Sequence, residues 1–272
     1  MVLYRFFFFL VLLFCLCCQP TQRSSQQTLV ASQNLLSDRI LFLLGEKAMQ
    51  QTVLISALAN SQRYSTVAGL WPKSVPSSDF LGESILRSKA NIVFVTPYSN
   101  PNVVALLASS NIKVITLPHL TGFDSFSQAV RIIANTVNLE DEGAQLIKRF
   151  EKSLKNYKRP KSGVSVISYA DGLTAGNNTF WDDSLTLTGF INVAKERGIV
   201  EYQPVTMEQL LRWSPDIIVI SCDNHCEQTK ERFQNLPEIK KLFKGKVRAV
   251  PSRLLSVADD TVIELLKELH SW

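Results

Sequence analysis

The chain has 272 residues, 46% of them hydrophobic, which is enough for one large or two modest cores. Its 29 Lys and Arg outnumber its 24 Asp and Glu to leave a formal charge of +5, but they are spread along the chain and matched by acids. No basic block is interleaved with aromatics, which speaks against a nucleic-acid partner.

Met1 to Arg5 carries one positive charge, and Phe6 to Cys18 is a run of 13 apolar residues closed by Gln19-Pro20. That run is too short to span a bilayer and fits a secretory signal. Cys15, Cys17 and Cys18 sit at its end, before a polar Gln/Ser/Thr stretch, in the manner of a bacterial lipoprotein junction. Cys18 is the expected lipidated residue, because Cys17 is the small residue placed just before a candidate. Cys15 and Leu16 depart from the usual pattern, and an uncleaved anchor or an ordinary cleaved signal is the alternative. Residues 1–18 are therefore assigned as a lipoprotein-type signal and 19–27 as a polar tether. Export would place the remaining Cys222 and Cys226 in an oxidising compartment, where they could form a small local disulfide.

Beyond the tether, Thr28–Ser32 predicts a strand. Asn34 follows in a loop, and Ser37-Asp38 opens an apolar helix that ends at Gly45. Thr52–Ser56 is the next strand, and Ala57–Asp79, rich in Ser and Pro, is mostly loop. Strands follow at Ile92–Val95 and Lys113–Leu117, with a helix at Asn102–Ser109 between them. Continuous apolar strands alternating with helices imply a parallel sheet. Ser125–Asn138 has helical spacing. Leu139–Lys158 is a longer helix, roughly 30 Å at 1.5 Å per residue, with acids in its first turn and lysines near its last. The alternation restarts with strand Val164–Tyr169, a loop to Phe180, helix Asp183–Gly189 and strand Asp216–Ser221. A polar loop, helix Leu236–Phe243, strand Val247–Val250 and a terminal helix near Asp260–His270 complete the chain. The expected fold is α/β, with two lobes, each a mostly parallel sheet flanked by helices. The lobes would comprise residues 28–138 and 159–272, joined by one long helix over 139–158.

One stretch occurs twice. Glu83 to Thr96 is ESILRSKANIVFVT, and Glu208 to Ser221 is EQLLRWSPDIIVIS. Aligned without a gap, the two copies share the leading Glu, a Leu-Arg and an Ile that opens the apolar run. Each predicts a short amphipathic helix, a break and a buried strand, and such a repeat predicts two lobes of similar build. A first-turn Glu is ordinarily explained by the helix dipole. The same Glu offered once per lobe suits docking on a two-fold symmetric partner that carries arginines.

No phosphate-binding glycine loop, GxSxG elbow or HExxH is present, and the chain has three His. In parallel α/β sheets ligands bind beyond the carboxyl ends of strands. The post-strand candidates are Asn34, Trp71, Tyr98, His119, Thr174, Asn177, Phe180, Trp181, Asn224, His225 and Arg253. This aromatic and amide-rich set suits a bulky, largely neutral ligand. His119 and His225 invite a metal reading, but His225 lies in a CxxHC loop that is not a zinc spacing. Tyr98 or His119 could serve as an axial ligand to haem iron on chemistry alone. Asp182 and Asp183 are adjacent and do not face each other on a helix; one is expected to cap the helix and the other to be solvated.

The chain resembles the substrate-binding proteins of ABC importers for iron–siderophore complexes, haem and cobalamin. The resemblance rests on SQNLLSDRILFLL, VLISALANSQRYSTVAG, VVALLASSNIKVITL, YADGLTAGNNTFWDDSLTLTGFINVA and above all the two Glu-led segments. It implies two α/β lobes joined by one long helix, with Glu83 and Glu208 contacting arginines on the two permease subunits. The first copy has Ala90-Asn91 where the family usually has Pro-Asp, while Pro215-Asp216 is intact. No tyrosine stands just before the first Glu, where haem-binding members often carry one, which disfavours haem.

The implied function is that of an extracytoplasmic, monomeric solute-binding protein that is not an enzyme and carries no cofactor. It would hold a metal chelate, iron–siderophore or cobalamin, between its lobes and deliver it to a permease dimer with its ATPase subunits. The lipid on Cys18 would keep it at the membrane, in the periplasm or on the outer face of the cell membrane. The alternatives are a bare zinc or manganese ion held by His119 and His225, a chelatase-like enzyme, and an interaction lipoprotein without a small ligand.

Overall fold

The computed structural model describes residues 27–223, 225–256 and 259–272. Cys18, the signal and the tether up to residue 26 lie outside them, as does Asn224. The first lobe comprises β1 (Val30–Ser32), α1 (Leu35–Leu43), α2 (Glu46–Gln51), β2 (Thr52–Ser56), β3 (Ser77–Ser78), α3 (Gly82–Arg87), β4 (Ile92–Val95), α4 (Pro101–Ala108) and β5 (Lys113–Thr116). Helices α5 (Phe123–Thr136) and α6 (Glu140–Lys155) carry the chain onward. The second lobe comprises β6 (Ser165–Tyr169), β7 (Leu173–Ala175), α7 (Phe180–Leu187), β8 (Ile191–Asn192), α8 (Val193–Glu196), β9 (Tyr202–Pro204), α9 (Met207–Trp213), β10 (Ile217–Cys222), α10 (Cys226–Gln234), α11 (Pro237–Leu242), β11 (Lys246–Pro251), α12 (Ser252–Ser256) and α13 (Val262–His270).

Both main sheets are parallel, with orders β3-β2-β1-β4-β5 and β11-β10-β6-β8. The second order, reversed, matches the first strand for strand, with β8, β6, β10 and β11 standing where β2, β1, β4 and β5 stand. The sequence repeat is therefore topological, because its two strands, β4 and β10, take the same place beside the opening strand of each lobe. A two-stranded antiparallel ribbon, β7 with β9, is added to the second lobe.

The repeated strands are apolar throughout because both their faces are covered. Val93 and Val95 pack under Ile85 of α3, and Ile218 and Ile220 pack under Leu210 of α9. Ile85 and Leu210 are fully buried, each worth about 2 kcal/mol of apolar transfer. The opposite-facing residues, Phe94 in β4 and Ile217 and Val219 in β10, join one continuous core. That core runs from α1 through α5 and α6 to α13 and so spans both lobes.

The departure at Ala90-Asn91 is accommodated by equivalent chemistry. Asn91 Oδ1 accepts a hydrogen bond from the Leu29 amide at 3.0 Å, as Asp216 Oδ2 accepts one from the Ser165 amide at 2.8 Å. The Asp216 carboxyl, held also by the Ser165 hydroxyl, lies below the usual carboxylate range.

The helix expected over 139–158 spans Glu140–Lys155, 16 residues or about 24 Å. It is paired with α5 along its length, and Gly143 permits the approach: a Cβ there would lie 2.5 Å from that of Ala134. Polar contacts also join the lobes directly. Arg39 on α1 forms a two-pronged pair with Asp260 at 2.8 and 3.0 Å, and Arg63 reaches Asp223 at 2.9 Å.

Candidate functional site: a cleft between the lobes

A cavity of about 390 Å³ opens between the two sheets. The first lobe contributes Arg63 and Tyr64 from the loop after β2, Tyr98 from the loop after β4 and Leu120 from the loop after β5. The second contributes Ser168 of β6, Ala170 and Asp171 just after it, Leu173, Thr174 and Ala175 of β7, Trp181 of α7, Tyr202 of β9, Ser221 of β10 and Ser252 and Leu255 of α12. Ser168 and Ser221 lie at the carboxyl ends of β6 and β10, the adjacent strands at which the strand order of this lobe reverses. Such a switch point leaves a crevice at the carboxyl edge of a parallel sheet.

The lining is chiefly phenols, an indole and hydroxyls. Tyr98 and Tyr202 are 69% and 51% exposed, so their rings stand open to a ligand. The Tyr98 hydroxyl lies 3.3 Å from His119 Nδ1, with the two rings edge to face. Arg63, the one lining cation among the described residues, is paired with Asp223 and lies 5.1 Å over the Tyr64 ring. Asp223 sits in the loop closed by the Cys222–Cys226 disulfide, whose Cα atoms are 5.1 Å apart. The Ser252 hydroxyl donates to the Cys222 carbonyl and to Asp223, both at 3.1 Å.

Of the residues singled out in the sequence, Tyr98, Thr174 and Trp181 line the cavity. Asn34 instead caps α1, accepting from the Ser37 amide at 2.9 Å and donating to the Phe94 carbonyl at 3.3 Å. Trp71 is core, 6% exposed with its ring 6.0 Å from that of Phe42. Asn177 bonds through its backbone to Ile199 and Glu201. Phe180 packs on Phe123 at 5.7 Å and borders a chamber of about 20 Å³. Arg253 pairs with Glu264 at 3.2 Å. His119 stands behind Tyr98, and His225 precedes α10; neither is part of the lining. Among the described residues, no group of three or more His, Cys, Asp and Glu is placed to hold a metal ion.

Asp182 and Asp183 differ from expectation, because Thr179 caps α7 through the Asp182 amide. Asp182 is buried and bonded to Lys195 at 2.8 Å and Asn192 at 3.1 Å. Asp183 accepts from the Phe123 amide at 2.8 Å, tying the second lobe to the start of α5, and burial raises its carboxyl above the ordinary range.

Arg63, Tyr64, Tyr202, Ser168 and Ser221 were not among the candidates. Tyr64 falls in the loop after β2, and Ser168 and Ser221 at strand ends, so the carboxyl-end rule applied to every strand would have found them. Tyr202 sits on a three-residue exposed strand with no apolar pattern, and no local signal points to it.

Glu83 and Glu208 occupy the same place in their lobes, the first turns of α3 and α9, with side chains 82% and 81% exposed. Each faces an Arg one turn on, Arg87 at 3.8 Å and Arg212 at 2.5 Å.

The model of the periplasmic binding protein family matches residues 65–244. A curated relative, the molybdate-binding protein MolA of Haemophilus influenzae, is 23% identical over 164 residues, 51% of this chain and 46% of its own length. The chain thus spans about half the length of the curated relative it matches. Among solved structures, the periplasmic haem-binding protein HutB of Vibrio cholerae superposes with a TM-score of 0.71 at 18% identity, covering 90% of this chain and 98% of that one. A protein of an ABC-type Fe3+-hydroxamate transport system from Saccharomonospora viridis superposes with a TM-score of 0.70 at 17% identity, covering 89% and 91%. These structures share the fold, and the family match extends over about two thirds of the sequence, so the chain belongs to the periplasmic binding protein family.

Proposed function

We propose that this chain captures a metal chelate, an iron–siderophore complex or cobalamin, in the interlobe cleft and delivers it to the permease of an ABC importer. The cleft carries this reading. At about 390 Å³ it falls within the range of small-molecule sites, and its open phenol rings suit the faces of a bulky chelate. A bare tetrahedral oxyanion would fill only a fraction of it. The proteins named above as haem-binding and Fe3+-hydroxamate-transporting have the same two-lobed build. Tyr98, Thr174 and Trp181 are the contacts we assign from the sequence, and Arg63, Tyr64 and Tyr202 those we add from the geometry.

Delivery uses Glu83 and Glu208. Both are exposed, each is one per lobe, and each already presents its carboxylate to an arginine in its own helix. An arginine on each permease subunit would take over those carboxylates on docking, while ATP hydrolysis on the permease-bound ATPases drives release. Export, action as a monomer outside the cytoplasm and a lipid on Cys18 complete the proposal. The two lobes share one continuous core through α5 and α6, which favours a small closing motion over a wide hinge.

The test is calorimetric titration with a ferric trihydroxamate, cobalamin, haem, molybdate and zinc. Binding of a chelate, with no heat from molybdate or zinc, is the expected result. Binding of molybdate or zinc alone would overturn the proposal.

A further inference from the structure

A second hollow adjoins the cleft. It is a groove of about 410 Å³ between the carboxyl ends of β6 and β10 and helix α10. Side chains alternate along a strand, so Ser168 of β6 lines the cleft while its neighbour Tyr169 lines the groove. The two hollows meet at Asp171 and Ser221.

The groove exists because α10 is not packed down on its lobe. CEQTKERFQ buries none of its residues. Yet Thr229, Arg232, Phe233 and, just past the helix, Leu236 have the i, i+3, i+4, i+7 spacing of one helix face, and all four line the groove. The Phe233 ring lies 6.0 Å from that of Tyr169, and the buried Ile220 of β10 adds apolar floor. Asp171 comes from the turn between β6 and β7. There Ala170 and Leu173 exchange backbone hydrogen bonds of 3.0 and 2.9 Å, and Asp171 and Gly172 have φ of 52° and 80°. This is the Asp-Gly form of a tight hairpin, and it fixes Asp171 at the rim.

Arg232 and Asp171 thus bring opposite charges to one apolar, partly aromatic groove. Neither side chain has a hydrogen-bond or ion-pair partner among the described residues, so they do not neutralise each other. An anion would satisfy Arg232 and meet Asp171 unpaired, and a cation would do the reverse. A ligand that carries both charges on a short apolar body satisfies both. The volume is in the range of small-molecule sites.

We infer that the groove is a second small-molecule site, separate from the cleft, for a zwitterionic aromatic amino acid. Arg232 takes its carboxylate, Asp171 its ammonium group, and Tyr169 and Phe233 its ring. The inference does not depend on what the cleft holds.

The test is an NMR titration of the protein with L-phenylalanine, 3-phenylpropanoate and 2-phenylethylamine. It is repeated on Arg232→Gln, on Asp171→Asn and on the cleft variant Tyr64→Ala/Tyr202→Ala, with melting temperatures recorded for each. Arg232 and Asp171 are exposed and unpaired, and asparagine tolerates the left-handed backbone at 171, so both single variants should fold. L-Phenylalanine should bind tightest. Arg232→Gln should weaken it and 3-phenylpropanoate by about tenfold, the low end for a hydrogen bond to a charged group because the groove is open to water, and leave 2-phenylethylamine unchanged. Asp171→Asn should weaken L-phenylalanine and 2-phenylethylamine and leave 3-phenylpropanoate unchanged. The cleft variant should bind L-phenylalanine as the unsubstituted protein does. No binding of L-phenylalanine, binding indifferent to both single variants, or binding lost in the cleft variant would overturn the site. Binding of 3-phenylpropanoate as tight as that of L-phenylalanine would overturn the zwitterionic class.

Discussion

Arg39→Met tests how firmly the lobes are held together. Arg39 leaves α1 in the first lobe and grips Asp260, just before α13, with two charge-assisted hydrogen bonds of 2.8 and 3.0 Å. The two side chains are 18% and 23% exposed, between a surface pair and a buried one. Exposed pairs contribute about 0–1 kcal/mol, and removing one partner of a buried pair is destabilising by about 3–5 kcal/mol. The expected loss is therefore about 2–3 kcal/mol, or about 4–12 °C in Tm. Asp259 adds a pH signature. Burial, then the Asp260 charge, raises its carboxyl to about 6, and Arg39 opposes the rise. A folded-state value above the unfolded one means stability is lost as pH climbs from about 4 to about 6 and then levels. Without Arg39 that loss extends to higher pH, so the deficit of Arg39→Met should be larger at pH 8 than at pH 5. Urea unfolding at both pH values measures it, with Asp260→Asn and the double variant closing a thermodynamic cycle. A loss below about 0.5 kcal/mol at both pH values would refute the reasoning and reduce the pair to surface decoration.

Three further outcomes are expected. Asp38, buried under Ser56, whose amide and hydroxyl both donate to it, is raised by burial to about 7, so its contribution should lower wild-type stability by about 3 kcal/mol from pH 4 to pH 7; Asp38→Asn should remove that part of the slope in urea unfolding. Gly176→Ala should be destabilising by roughly 1–3 kcal/mol or more, because a Cβ there would lie 2.1 Å from the Ile199 carbonyl oxygen; calorimetric melting reads it. Glu83→Ala with Glu208→Ala should change stability by no more than about 0.5 kcal/mol per pair, keep ligand affinity and abolish ligand uptake by cells; unchanged uptake would remove both glutamates from docking.

The fold was legible where both faces of a strand are buried. β4 begins and ends where its apolar run does, and β10 is displaced by one residue, because continuous Val and Ile leave no other reading. β7 falls in the stretch up to Phe180 that the sequence predicts as loop, and no element is predicted over β9, since Tyr202–Pro204 is exposed throughout and its partner strand lies far back in the chain. Helix α10 was missed because CEQTKERFQ buries none of its residues and so has no apolar stripe. The site was legible in part for the same reason. Trp181 and Thr174 follow strands and could be nominated one by one. Neither the pairing of Arg63 with Asp223 nor the retreat of Trp71 into the core against Phe42 has a local sequence signature, because both depend on how distant segments meet.

The most direct measurement is native mass spectrometry of the protein purified from its own host. Chelate capture predicts a species heavier by one intact metal chelate, lost when Tyr64 and Tyr202 are both replaced by alanine. A protein that retains only a bare metal ion or oxyanion, or the same chelate in the Tyr64→Ala/Tyr202→Ala variant, would contradict capture in the interlobe cleft.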